Sequence, residues 1–250
     1  MYGWTGKILV IDLTKKSIEV ETPGLDVYNR YVGGKGFGGR YLRQCATLPW
    51  DHPDMVICLF TGPLTGTITP TSGRTHILSK SPLTGLVGDS SVGGKLATRL
   101  KRAGWDGIVI KGKSKTPVGI TIKDNLVEFK NAKELWGLDT NAVHKQIRPG
   151  KASLASIGPA AENGVRFASI IVDRHFAAGR SGLGLCLANK KIKYLLVDGT
   201  GHWKVKDQKK LKQAREDIVR LTAASPALMG QLGFTCLGTG AVYDLMETAE

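Results

Sequence analysis

The stretch 89–112, DSSVGGKLATRLKRAGWDGIVIKG, reads as a tight glycine turn (Gly93, Gly94), a basic helix, a second glycine turn at Gly104 and a short apolar strand. The chain follows the same order again at 177–199, AAGRSGLGLCLANKKIKYLLVDG: small residues and glycines, a helix with lysines at its end, and a strand closing on Asp-Gly. Setting IVIKG over LLVDG aligns the two at a constant offset, and the glycine turns then nearly coincide. A glycine turn that feeds a helix N-terminus leaves backbone N–H groups pointing outward, a natural anion cradle. Two such cradles in one chain point to a ligand with two anionic ends, or to two copies of one ligand.

The flanking segments repeat as well. GKILVIDLTKKSIEVET (6–22) predicts a hairpin turning at Thr14-Lys15-Lys16, YVGGKGFGGRYLRQC (31–45) a glycine-rich helix, MVICLFTGP (55–63) an apolar strand, and GRTHIL (73–78) its partner. In the second half PVGITIKDNLVEFKN (117–131) predicts a hairpin and ELWGLDTNAVHKQI (134–147) a helix. SLASIGP (153–159) is again an apolar strand ending on Gly-Pro, and VRFASIIVD (165–173) its partner, with Arg166 near the place of Arg74. Each half is therefore β-β-α-β-β-α-β. The expected fold is α+β, a pseudo-twofold duplication with two similar sheets side by side and both cradles on one face. This domain is expected to span 1–201. Beyond it, 202–250 forms a helical extension: a basic amphipathic helix over 204–224, then AVYDLMETAE, which has helical spacing without a cap or stop signal and reads as the start of a further domain.

Within 250 residues, 42% hydrophobic and 22% charged, the composition is that of a globular protein with a real core. The 32 glycines are about twice the usual share. A formal net charge of +14 favours an anionic partner: nucleic acid, an acidic protein surface or a phosphorylated cofactor. The four cysteines, Cys45, Cys58, Cys186 and Cys236, form no CxxC pair and so carry no local signature of zinc or an iron–sulfur cluster. Cys58 and Cys186 lie in apolar runs, as small core residues do. Met1-Tyr2-Gly3-Trp4 has neither a basic nor an apolar leader region, and no run is long enough to span a membrane, so a cytoplasmic setting is expected.

Gly34–Gly39 fits GxGxxG, but the polar VYNRYV before it is a poor buried strand, so these glycines are expected to serve helix-on-sheet packing. Two PLTG loops (63–66 and 82–85) bracket the strand containing Arg74, an arrangement suited to gripping a phosphate bidentately. His76, His144, His175 and His202 show no HxxxH or HExxH spacing, which argues against catalytic zinc. Ser72 is not in a GxSxG elbow, and Glu162 is an acid or base candidate only if it lines a cleft.

WTGKILVIDL, FTGPLTGT, SGRTHILSKSPLTG, GGKLATRLKRAGWDGIVIKGKSKTPV, ASIGPAAENGVRFASI and HFAAGRSGLG together resemble the N-terminal domain of the tungsten-containing aldehyde:ferredoxin oxidoreductase family, in collinear order from about residue 2 to 201. The resemblance implies a duplicated α+β saddle beneath a bis-pterin tungsten (or molybdenum) cofactor, with two pterin phosphates bridged by magnesium. It implies that Arg74 holds a phosphate, that Gly93 and Gly94 line the cofactor, and that Gly179 and Arg180 form the second cradle. Carbonyls at Ser91 and Ala177 would face the magnesium. Ser91 stands where the family carries asparagine, and Phe176 where it carries an arginine before the Ala-Ala-Gly-Arg turn. Relatives are much longer, and their later domains bring the [4Fe–4S] cysteines and the groups near the metal. This chain is therefore expected to contribute no catalytic side chain and to depend on a partner subunit or further domains carrying the cluster. Ferredoxin would be the electron acceptor and an aldehyde the substrate. A non-catalytic pterin-binding or scaffold module is the second reading. Nucleic-acid binding ranks last, because neither an aromatic-studded basic sheet nor a helix-turn-helix pattern is present.

Overall fold

The computed structural model describes residues 1–230, 233–238 and 240, so AVYDLMETAE lies outside the described residues. The chain divides into two compact units, 1–66 with 72–205 and 67–71 with 206–250.

The first unit contains two six-stranded mixed sheets. The first has the order β2-β1-β6-β3-β4-β5, with β1 (Ile8–Asp12), β2 (Ser17–Glu21), β3 (Ile57–Phe60), β4 (Thr75–Lys80), β5 (Val87–Val92) and β6 (Gly107–Lys111). The second has the order β11-β10-β9-β12-β7-β8, with β7 (Val118–Lys123), β8 (Leu126–Asn131), β9 (Ser153–Ser156), β10 (Ile170–Val172), β11 (Phe176–Ala178) and β12 (Ile192–Asp198). Read from opposite ends the two orders are the same. β1 and β6 run parallel, as do β7 and β12, and the other pairings are antiparallel.

The helices complete the correspondence. α1 (Leu25–Tyr31) and α2 (Gly34–Gln44) follow the first hairpin; a 3₁₀ turn at Lys133–Leu135 and α4 (Thr140–Ile147) follow the second. α3 (Leu96–Arg102) returns the chain to β6, and α6 (Leu183–Asn189) returns it to β12. The strand expected over 153–159 ends at Ser156, and Pro159, its expected last residue, instead opens a short α5 (Pro159–Glu162).

The α+β duplication stands, with one strand per half more than expected. VGDSSV and FAA pair as β5 and β11, where the sequence suggested loop and glycine turn. Both are polar or short edge strands, a form that protects sheet edges and hides the apolar alternation that betrays a strand.

Alternation divides the strand residues between two faces. Leu9, Ile11, Ile57, Leu59, Ile108 and Ile110 join Ile120, Ile122, Leu195 and Val197 in one core shared by both halves. Their neighbours Ile8, Val10, Cys58, Phe60 and Val109 face outward, where Tyr28, Phe37, Tyr41 and Leu42 of α1 and α2 cover them. Gly38 lets α2 close on the sheet, since a Cβ there would lie 2.5 Å from a Leu78 methyl, so the GxGxxG run serves packing. A third cluster, Ala132, Leu135, Val143, Leu154 and Tyr194, backs the second sheet.

The second unit contains α7 (Gln208–Ala223), α8 (Pro226–Met229) and α9 (Phe234–Leu237). Asp207 caps α7 by accepting the Lys210 N–H at 2.9 Å, and no α7 residue is buried.

Candidate cofactor seam between the two halves

The edge strands β5 and β11 come together, each carrying its glycine-bearing turn to one seam. All seven residues singled out for a cofactor lie there: Arg74 ahead of β4, Ser91 on β5, Gly93 and Gly94 after it, Ala177 on β11, and Gly179 and Arg180 after that. None of them is buried.

Three backbone-to-side-chain bonds hold the seam. The Asp89 N–H donates to Ser181 Oγ (3.3 Å), the Arg180 N–H to Ser90 Oγ (3.4 Å), and the Lys95 N–H to Asp173 Oδ2 (2.6 Å). The first two are reciprocal, each half bonding a serine of the other, as a pseudo-twofold axis requires. Gly88 permits the approach, because a Cβ there would meet the Ser181 Cβ at 2.8 Å. Gly182, at φ 67°, faces Pro82 of the first half, whose Cγ a Cβ would meet at 3.0 Å, and lies so close to its own half that a Cβ would fall 1.9 Å from the Arg166 carbonyl oxygen.

The first cradle is more occupied than a free helix start. The Lys95 amide is already bound by Asp173, whose other oxygen accepts from Ser153 Oγ (2.8 Å) and the Leu154 N–H (3.1 Å). The Phe176 ring lies over the glycine pair; a Cβ on Gly93 would meet it at 2.9 Å and one on Gly94 at 3.1 Å. The Arg74 guanidinium donates to the Ser91 carbonyl at 3.2 Å. Asp173 is the seam residue that the sequence reading missed. Its only local sign is the polar triplet Asp173-Arg174-His175 between two short apolar runs, where Asp173 (φ 49°) and Arg174 (φ 71°) take left-handed turn conformations.

The seam is electropositive. Arg74, Lys95, Arg174 and Arg180 are exposed around it, whereas the Asp173 carboxylate has its acceptors filled by three donors. Burial first, then the Arg174 charge, lowers the pKa of His144 on α4 below the ordinary histidine value, with Asp173 working against that shift. Exposed guanidinium groups and glycine backbone fit a phosphate-bearing group, which needs bidentate donors and close main-chain approach. Beside the seam, Asp89 pairs with Lys35 (2.5 Å) and stands 3.7 Å from His76 Nδ1.

Glu162 does not line this seam. Its side chain is 3% exposed, paired with the equally buried Lys193, and it accepts the Gly137 N–H at 2.7 Å. That is a structural ion pair. Cys58 and Cys186 are buried core thiols, both pushed up by desolvation, Cys186 to about 11. No helix among the described residues is long and apolar enough to cross a membrane.

Comparison with known proteins identifies the family of the fold. Residues 8–199 match the family model described as aldehyde ferredoxin oxidoreductase, N-terminal domain. A tungsten-containing aldehyde ferredoxin oxidoreductase of Thermococcus kodakarensis is 39% identical over 253 aligned positions, covering 99% of this chain and 42% of that protein. The WOR-like subunit of an aliphatic sulfonate oxidoreductase from Pyrococcus furiosus is 33% identical, over 85% of this chain and 37% of that subunit. Among solved structures, the active site complex BamBC of benzoyl coenzyme A reductase with 1,5-dienoyl-CoA superposes with a TM-score of 0.83 at 30% identity, covering 91% of this chain and 36% of that one. The chain thus spans about two fifths of the length of the curated relatives it matches.

Proposed function

The chain belongs to the aldehyde ferredoxin oxidoreductase family, matching its N-terminal domain, and from that premise we propose that it forms the seat of a tungsten (or molybdenum) bis-pterin cofactor in an oxidoreductase that converts aldehydes to carboxylic acids. The observation that carries this reading is the convergence of both glycine turns, with exposed Arg74 and Arg180, on the single β5–β11 seam. Domain 1–201 is the cofactor-binding base, and 202–250 begins a second domain or a docking segment.

In this reading Arg74 and Arg180 bind the pterin phosphates, and Gly93, Gly94 and Gly179 let the cofactor approach the backbone. The carbonyls of Ser91 and Ala177 would be the oxygens that hold a magnesium ion. Arg74 donates to the Ser91 carbonyl, so that oxygen would be open to a cation where Arg74 turned to a phosphate instead. When bound, the metal–pterin group supplies the two-electron chemistry, while this chain orients it and neutralises its charge. The iron–sulfur cluster and the exit of electrons to ferredoxin belong to a partner subunit or to further domains. A soluble cytoplasmic enzyme is the setting this reading implies.

One observation favours the second reading, a non-catalytic pterin-binding or scaffold module. Phe176 lies on the glycine pair where an additional cation would strengthen phosphate binding.

Metal and pterin analysis separates the two. The chain would be purified anaerobically, alone and with its native associates, beside an Arg74→Gln/Arg180→Gln variant. About two pterins and one tungsten or molybdenum per chain, lost in the variant, is the expected result. Iron should appear only with a co-purifying partner. Metal and pterin with no partner and no aldehyde oxidation in any preparation supports the scaffold. Pterin absent from every preparation refutes both.

A further inference from the structure

The two halves are joined through residues 112–117, and beside that joint lies a cleft of about 480 Å³. Its walls are the β1–β2 turn, the joint itself, and the end of β8 with the residues after it. Five lysines line it, Lys16, Lys113, Lys115, Lys130 and Lys133, and no aspartate or glutamate does.

Little of this charge is compensated. Lys130 pairs with Glu128 on its own strand at 3.1 Å, and both side chains are exposed. Lys113 donates to the neutral Asn189 amide oxygen at 2.8 Å, which leaves its charge intact. Lys16, Lys115 and Lys133 make no ion pair among the described residues. Asp12, a carboxylate at the end of β1, is buried and accepts the Thr14 and Lys15 N–H groups of its own turn. Like charges gathered in one cleft repel one another, and an anionic ligand reverses that repulsion.

The walls are fixed independently of any ligand. Thr14 Oγ1 accepts the Lys113 N–H at 3.0 Å, and the Gly112 N–H donates to the Pro53 carbonyl at 2.8 Å. Beneath them the buried Lys190 ammonium donates to the carbonyls of both Pro53 (2.8 Å) and Gly112 (2.9 Å). Half-buried Phe129 and Pro117 supply an apolar side. A volume of this size suits a nucleotide-sized molecule. Lysine ammoniums, compact point charges on flexible stems, suit clustered phosphate oxygens.

We propose that this cleft binds a ligand carrying two or more adjacent phosphates. Its lysines share no residue with the β5–β11 seam, so the site stands or falls separately from the cofactor reading.

Titration calorimetry of the full chain with inorganic tripolyphosphate and with ADP tests it, using Lys115→Glu/Lys133→Glu as the cleft variant. Lys151→Glu/Lys209→Glu, at two exposed lysines outside the cleft, is the charge-matched control. These are surface positions, and unchanged melting curves confirm folding. Saturable binding of one ligand per chain is expected, weakened at least about tenfold in the cleft variant and unchanged in the control. Tighter binding of ADP than of tripolyphosphate places a nucleoside against Phe129; equal binding makes the site one for phosphates alone. Absence of saturable binding, an equal loss with Lys151→Glu/Lys209→Glu, or binding of a DNA duplex with neither small probe bound would overturn the proposal.

Discussion

Asp106 organises more of the molecule than any other carboxylate near the first sheet. It accepts the N–H groups of Thr5 (3.0 Å) and Gly6 (2.8 Å), the Tyr28 hydroxyl (2.9 Å) and the Lys101 ammonium (2.6 Å). Lys101 in turn donates to the Gly62 carbonyl. One buried pair thereby ties the N-terminal segment, α1, the loop after β3 and α3 together. Burial lowers the Lys101 pKa, with the Asp106 charge working against that shift, and burial beside Asp106 pushes the Tyr28 phenol up. Replacing one member leaves its partner charged, buried and unpaired, at a cost of about 3–5 kcal/mol. Asp106→Asn should therefore lose about that much stability in urea unfolding. A loss below about 1 kcal/mol would mean that water reaches the pair, as it does at surface ion pairs. In the sequence Asp106 is one letter of a glycine turn. Its role was illegible there because its partners at Tyr28 and Thr5 are 78 and 101 residues away.

At the scale of elements, the glycine turns were legible and the strands leading into them were not. Gly93 and Gly94 announce a turn by composition, whereas Val87–Val92 alternates Val, Ser and Gly too weakly to announce a strand. Gly94 has two reasons to be glycine: its φ is 89°, and a Cβ would meet Asp173 Oδ2 at 2.8 Å and Phe176 and Val172 at 3.1 Å. Gly104, at the same φ of 89°, has nothing within 4 Å of an added Cβ. Gly104→Ala should therefore lose only the left-handed backbone cost, about 1–2 kcal/mol. Gly94→Ala adds displacement of the opposite half, and the difference between the two variants measures how tightly the seam is closed. A Gly94→Ala loss no greater than that of Gly104→Ala would show that Asp173 and Phe176 yield freely, leaving the seam loose.

At the scale of the whole molecule, the two halves repeat the same strand order, yet the largest core is shared between them. α3, which follows the first five strands, lies against β9 and β12 of the second sheet, while α6 lies against β4 and β5 of the first as well as β12 of its own. The Arg99 guanidinium on α3 pairs with Asp198 at the end of β12 at 3.2 Å, and Gly199 packs so closely that a Cβ would fall 2.0 Å from the Ala103 nitrogen. The duplication was visible in the order of turns and apolar runs. This exchange of helices was not, because an amphipathic pattern says that a face is covered without saying by which sheet. The exchange has a consequence for folding. A chain cut at the joint between Ser114 and Lys115 exposes most of the shared core in each piece, because that core draws on both sheets and on α3 and α6. Neither half expressed alone should show a cooperative thermal transition or near-ultraviolet circular dichroism, as expected of chains that cannot bury their apolar face. Mixing or co-expressing the two should restore both signals in a one-to-one complex. A half that melts cooperatively alone would mean that α3 or α6 can fold back onto its own sheet, and that the duplicated units are domains in their own right.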